Sequence, residues 1–216
     1  FIGLVISFLG VVLAVGLENE SLHVEPKYKQ FIKWLSESRY RIQGVSYVGK
    51  YIHDTALSIW PLYVFLLLGS ADKVGYLYSF SLFLAMILSF FIGFYIDHSK
   101  GKRPFFLSGG FISFIWLLRT QVIDVWSIAL VDSADKLLAS FHWLFYDSVL
   151  IKRGRGRAAY PFFIYREIIL SLGAFFTWTI FLSIFLLWGD WRALFIVAAV
   201  GSLLSLLMSE KPRLSK

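Results

Sequence analysis

Apolar stretches of about 20 residues, the length of helix that spans roughly 30 Å of hydrocarbon, recur along almost the whole chain. Six stand out, at approximately 1–17, 46–69, 74–96, 104–121, 124–150 and 160–188, and 191–209 adds a further span if the opening one is incomplete. The expectation is six full helices plus a truncated one. Between the first and second spans lies the one long polar segment, residues 18–45, in which Phe31, Trp34 and Leu35 at helical spacing beside Lys27, Lys33 and Arg41 predict a short amphipathic helix on the inner membrane surface. Every other connection is a few residues long, so neighbouring helices must run antiparallel. The chain thus divides into a partial transmembrane helix (1–17), a cytoplasmic linker (18–45), a six-helix transmembrane bundle (46–209) and a cytoplasmic tail (210–216).

Composition agrees with this pattern. With 58% hydrophobic, 19% aromatic and 16% charged residues and a strongly positive mean hydropathy, the chain is expected to be an all-α polytopic membrane protein rather than a soluble domain. It contains no cysteine, which excludes disulfides and thiolate metal sites. It opens on Phe1 with no cationic stretch before the apolar run, which disfavours a signal peptide, and it reads as a fragment of a longer protein.

A net charge of +7 would suggest nucleic acid as the partner of a soluble protein, but here its distribution is the informative quantity. Lys27, Lys29, Lys33, Arg39, Arg41, Lys50, Lys100, Lys102, Arg103, Lys152, Arg153, Arg155, Arg157, Lys211, Arg213 and Lys216 fall on alternate connections, while the intervening ones carry Lys73, Arg119 and Arg192. By the positive-inside rule the cation-rich side is cytoplasmic, and the C-terminus with it. Trp116, Trp126, Trp188 and Trp191 fall near the predicted outer ends, as an interfacial aromatic belt requires. The basic run at 152–157, which on composition alone suggests RNA, sits between two spans and reads as a topology determinant contacting anionic lipid; no nucleic-acid partner is expected.

The most heavily charged span is 124–150, with Asp132, Asp135, Lys136, His142 and Asp147. At 100° per residue all five fall within an arc of about 140°. Ionisable groups at the bilayer midplane cost on the order of 3 kcal/mol or more each, so such a face turns towards a bundle interior or a wet cavity. Asp132, Asp135 and Lys136 then either line a translocation pathway, meeting solute or a coupling proton, or form an internal set in which Asp132 pairs with Lys136 at i,i+4 and Asp135 turns to a neighbouring helix. His53 and Asp54 precede a Trp60-Pro61 step expected to bend its helix; they suit either a structural pair or a proton relay facing the same cavity. His142 belongs with these coupling candidates. Arg166 and Glu167, one turn into their span, either join Asp147 and Arg103 in a closing charge network or let Arg166 snorkel to the headgroups.

Between the spans at 74–96 and 104–121 stands Gly93-Phe-Tyr-Ile-Asp97-His-Ser-Lys-Gly101-Lys102-Arg103. This turn, behind a long cytoplasmic bridge and followed by further antiparallel spans, resembles the C-terminal half of a major facilitator superfamily transporter, from the end of helix six through helix twelve. Gly93, Asp97, Gly101, Lys102 and Arg103 match that family's G-x-x-x-D-[RK]-x-G-[RK]-[RK] loop, with His98 in place of the first cation and one extra residue before Gly101. The resemblance implies that this loop, with Asp147, holds the cytoplasmic side closed. Physically, Asp97 at a helix end is placed to accept from a neighbouring helix N-terminus.

Enzyme motifs are missing: there is no His-Glu-x-x-His, no Gly-x-Ser-x-Gly and no phosphate-cradling glycine loop, and Asp132-x-x-Asp135 lacks the further carboxylates of a metal-dependent phosphotransferase. The expectation is therefore a secondary active transporter without a cofactor, moving a small solute across a bacterial or archaeal cytoplasmic membrane by alternating access with a proton or ion gradient. Its partners would be that solute, a coupling proton, membrane lipids, and a missing N-terminal half or a second copy of the chain. A non-transporting scaffold or sensor of the same fold is the alternative reading, and a membrane-embedded enzyme a third.

Overall fold

The computed structural model describes residues 28–98, 103–153 and 159–208. Among them are seven α-helices and no strand: α1 (Tyr28–Ser36), α2 (Ser38–Leu68), α3 (Ala71–His98), α4 (Arg103–Arg119), α5 (Val125–Arg153), α6 (Ala159–Trp188) and α7 (Trp191–Ser205). The apolar runs correspond to α2 through α7. The partial span 1–17, the tail 210–216, and Gly101 and Lys102 of the basic turn lie outside the described residues.

The helix starts and stops follow from local chemistry. Gly69 after α2 and Gly189 after α6 adopt φ of +62° and +61°, the left-handed conformation that only glycine enters without a Cβ penalty, and each donates its N–H to the helix carbonyl four residues back, Phe65 and Phe185. The Asp190 carboxylate then caps α7 by accepting from the Arg192 N–H at 2.9 Å. Asp124 caps α5 reciprocally with Ser127: its carboxylate accepts the Ser127 N–H at 2.7 Å while the Ser127 hydroxyl oxygen accepts the Asp124 N–H at 3.2 Å.

Helix α2 begins at Ser38, inside the segment expected to be linker, and runs through Pro61 without ending. The polar residues that made 38–45 read as linker cover one side of a helix whose other side buries Gln43 and Tyr47. The amphipathic helix is α1, and its Phe31 ring packs against Tyr165 of α6 at 5.3 Å between centroids.

Helix α7 is sandwiched between α2 and α4, α5 packs on α3 and α4, and α6 lies on α2 and α7. The α2–α7 crossing is close because two glycines meet there: a Cβ on Gly201 would fall 2.6 Å from the Ile52 Cγ2. One core cluster centres on Trp60, Ile112, Trp116, Ile128 and Phe195, a second on Tyr47, Phe105, Tyr146 and Val149. Two helical segments, Tyr40–Leu68 and Phe162–Trp188, are long and apolar enough to cross a membrane, and Pro104–Arg119 and Trp191–Ser205 are shorter apolar helices. Much of the apolar surface faces outward: Leu172, Phe175, Phe176 and Leu186 on α6 are all more than half exposed.

Candidate functional site

Among the described residues, the largest concentration of buried charge lies where α4 and α5 meet. Asp132, Asp135 and Lys136 occupy one turn of α5, and Arg119 ends α4, brought back against them by the short turn before Asp124. Arg119 Nη2 donates to Asp135 Oδ2 at 2.9 Å, and Lys136 Nζ donates to Asp132 Oδ2 at 2.6 Å. The two pairs touch, because Arg119 Nη2 also stands 4.0 Å from Asp132 Oδ1. The result is a chain of alternating charge, Asp135, Arg119, Asp132, Lys136, whose formal charges cancel.

Aromatic rings enclose the chain. The Arg119 guanidinium lies between Trp60 of α2, 4.6 Å from the ring centroid, and Trp116 of α4, at 4.0 Å. Lys136 sits over the Tyr78 ring of α3 at 4.5 Å. A planar delocalised cation flanked by two indole rings gains cation–π attraction that offsets part of its lost hydration. The side chains of Arg119 and Asp132 are 0% and 1% exposed and that of Asp135 2%, whereas Lys136 keeps 19%. The hydrogen-bonding capacity is not used up: Arg119 Nε and Nη1, Asp132 Oδ1, Asp135 Oδ1, Trp60 Nε1 and the Tyr78 hydroxyl are buried without a hydrogen-bond partner among the described residues. Buried polar atoms are seldom left so.

Beside this cluster a groove of about 350 Å³ opens between α2, α3 and α5. Asp132, Asp135 and Lys136 border it, with Trp60, Tyr78 and Trp143 as its aromatic walls. Two other concavities carry less chemistry. A crease of about 510 Å³ is lined by α6 alone, and a hollow of about 20 Å³ beneath α1 holds no more than a water.

The structure thus brings together Asp132, Asp135 and Lys136. His53 and Asp54 it separates, since adjacent helical residues point about 100° apart. His53 is fully buried and accepts the Trp116 indole N–H at 2.8 Å, with Ser202 Oγ at 3.1 Å; Asp54 is exposed and pairs with Lys50 at 2.9 Å. His142 faces away from the groove into a neutral network, with Ser108 and the Phe105 carbonyl on Nδ1 at 3.1 and 3.3 Å and Ser205 on Nε2 at 2.9 Å. Asp147 is half-buried and pairs with no described residue. Arg166 pairs with its neighbour Glu167 at 2.7 Å, not with Asp147. Gly93 and Asp97 belong to the last turns of α3, and Arg103 opens α4.

Arg119 is the site residue that the sequence reading missed, because a cation at a span's outer end was counted only for topology. Trp116, expected in an interfacial belt, is fully buried; it supplies one face of the guanidinium sandwich and holds His53. No family model, no curated protein and no solved structure matches the chain.

Proposed function

We propose that the chain is a multi-pass membrane bundle forming the second half of a secondary active transporter of the major facilitator kind. In this reading it moves a small solute across a bacterial or archaeal cytoplasmic membrane by alternating access, coupled to a proton or ion gradient. The observation that carries the proposal is the set of four ionisable side chains, three of them no more than 2% exposed, beside a groove of about 350 Å³. Burying two ion pairs contributes little net stability compared with apolar packing of the same volume, so their presence is better explained by use than by folding. Within a membrane, ionisable side chains mark pathways and coupling sites.

The outward apolar surface of α6 supports the membrane setting. The clustering of cations on alternate connections supports a cytoplasmic C-terminus. The partly exposed Lys136 ammonium in the groove supports a second bundle facing it, since lipid cannot satisfy that group. The Asp97 turn, with Asp147 near the same end of the bundle, would serve as the cytoplasmic latch.

Membrane vesicles carrying the full chain and a trapped pH-sensitive dye test the proposal against a panel of anionic, cationic, zwitterionic and neutral solutes. Solute-driven proton movement that disappears in Asp135→Asn supports it. An unchanged dye signal with every solute, from protein shown to be inserted and folded, sinks it.

A further inference from the structure

We infer that the solute is a small monoanion, that Lys136 is the group that binds it, and that each anion enters with one proton. The inference rests on the groove being the solute site and names what that site selects.

Of the four charges, only Lys136 offers the groove an appreciable surface. Its side chain is 19% exposed, against 1% and 2% for Asp132 and Asp135. A cation entering from the groove would meet the ammonium before any carboxylate and be repelled. An anion meets an opposite charge with N–H donors to spare, since an ammonium has three and one is spent on Asp132.

The unpaired atoms behind Lys136 explain how it can be released. Arg119 spends Nη2 on Asp135 and leaves Nε and Nη1 without partners, while Asp132 Oδ1, also without one, lies only 4.0 Å from Nη2. A shift of about 1 Å brings that contact to hydrogen-bond length. Arg119 is therefore placed to take over Asp132 when Lys136 turns to the incoming anion.

The exchange balances as follows. The Lys136–Asp132 contact breaks, a contact from Lys136 to the anion forms, and Arg119 now serves both Asp132 and Asp135. Lys136 and the anion cancel, leaving one cation for two carboxylates and a net charge of −1 in a site that was neutral. A buried unpaired charge costs several kcal/mol. One proton from the aqueous phase, held by the Asp132–Asp135 pair as a unit, restores neutrality. The titratable and charged groups facing this pair are Arg119 from α4, Tyr78 from α3 and Lys136 from α5; α2 contributes the indole of Trp60, with His53 set behind Trp116.

The test is binding rather than flux. The full chain in lipid nanodiscs, in weak buffer with a pH indicator, is titrated with lactate and benzoate as monoanions, choline as a cation and glucose as a neutral probe, with tryptophan fluorescence as the binding signal. Saturable binding of a monoanion with about one proton taken up per anion is expected. Lys136→Gln should weaken that binding at least tenfold, and Lys136→Arg should restore much of it. Asp132→Asn, which removes one negative charge at nearly constant shape, should bind the anion with no proton uptake. Anion binding without proton uptake by the unmodified chain, or binding of choline or glucose alone, overturns the inference; in the latter case loss of binding in Asp135→Asn leaves the groove standing as the solute site. Absence of saturable binding by every probe overturns both.

Discussion

Asp135 and His142 lie two turns apart on α5, and both are buried, yet their surroundings differ in kind. Around His142 the groups are neutral: two serine hydroxyls and a backbone carbonyl take up both ring nitrogens, and the Phe105 ring stacks on the imidazole at 4.5 Å. Around Asp135 the groups are charged, the charges cancel, and six polar atoms of the cluster and its walls remain without partners. A fully satisfied neutral network fixes one packing arrangement. A charged chain with unspent donors and acceptors has a second arrangement within reach. One helix thus carries a site whose polar groups are paired and a site with polar groups to spare.

The largest test of that contrast removes Arg119. In Arg119→Leu the buried Asp135 carboxylate loses its cation while Asp132 keeps Lys136, and breaking a buried pair costs about 3–5 kcal/mol, which thermal unfolding in detergent should register as a large fall. Adding Asp135→Asn should recover much of it. If the single variant unfolds like the parent protein, the cluster is not ionised as described and the contrast collapses.

Next is Gly201→Ala, which forces a methyl group against Ile52 and moves the segment of α7 carrying Ser202 and Ser205. Overpacking of this kind costs about 1–3 kcal/mol. Stability should fall while proton-linked anion binding survives, since none of the four charges lies on α2 or α7. Ser205→Ala, which takes the partner from His142 Nε2, should cost about 1–2 kcal/mol, again with binding intact. Loss of anion binding in Ser205→Ala at unchanged fold would join the two sites into one.

The smallest effect is expected at the start of α5. The Ser127 backbone N–H holds the exposed Asp124 carboxylate below the usual range. A carboxylate lowered in the folded state contributes stability above its unfolded value near 3.9 and loses it as pH falls through the lowered one. Asp124→Ala should therefore be slightly less stable than the parent at neutral pH, with the gap narrowing as the pH is lowered, as read from melting temperatures across an acid series.

The helices themselves were legible, because about 20 consecutive apolar residues can do little else. The start of α2 was not, since Ser38 to Val45 is polar enough to read as linker while folding as two helical turns that bury Gln43. At the site, the i,i+4 spacing of Asp132 and Lys136 offered their pairing, with Asp135 turned to a neighbouring helix, as one of two readings beside a lined pathway. The partner of Asp135 was invisible because it depends on how a turn returns the chain: Arg119 is sixteen residues away across the α4–α5 connection. Proximity of His53 to Asp54 in sequence suggested a pair, and helical geometry parts them.

The tight turns at Gly69, at Thr120 to Asp124 and at Gly189 join α2 to α3, α4 to α5 and α6 to α7 as hairpins, and the middle one contains Arg119, Asp132, Asp135 and Lys136 together. For a membrane protein this bears on biogenesis. A helix carrying Asp132, Asp135 and Lys136 within one turn is a poor candidate to partition into lipid alone, but the α4–α5 hairpin brings both cations and both carboxylates of the cluster with it. In the membrane reading proposed above, its charges would neutralise one another within a single folding unit before α6 and α7 have been made.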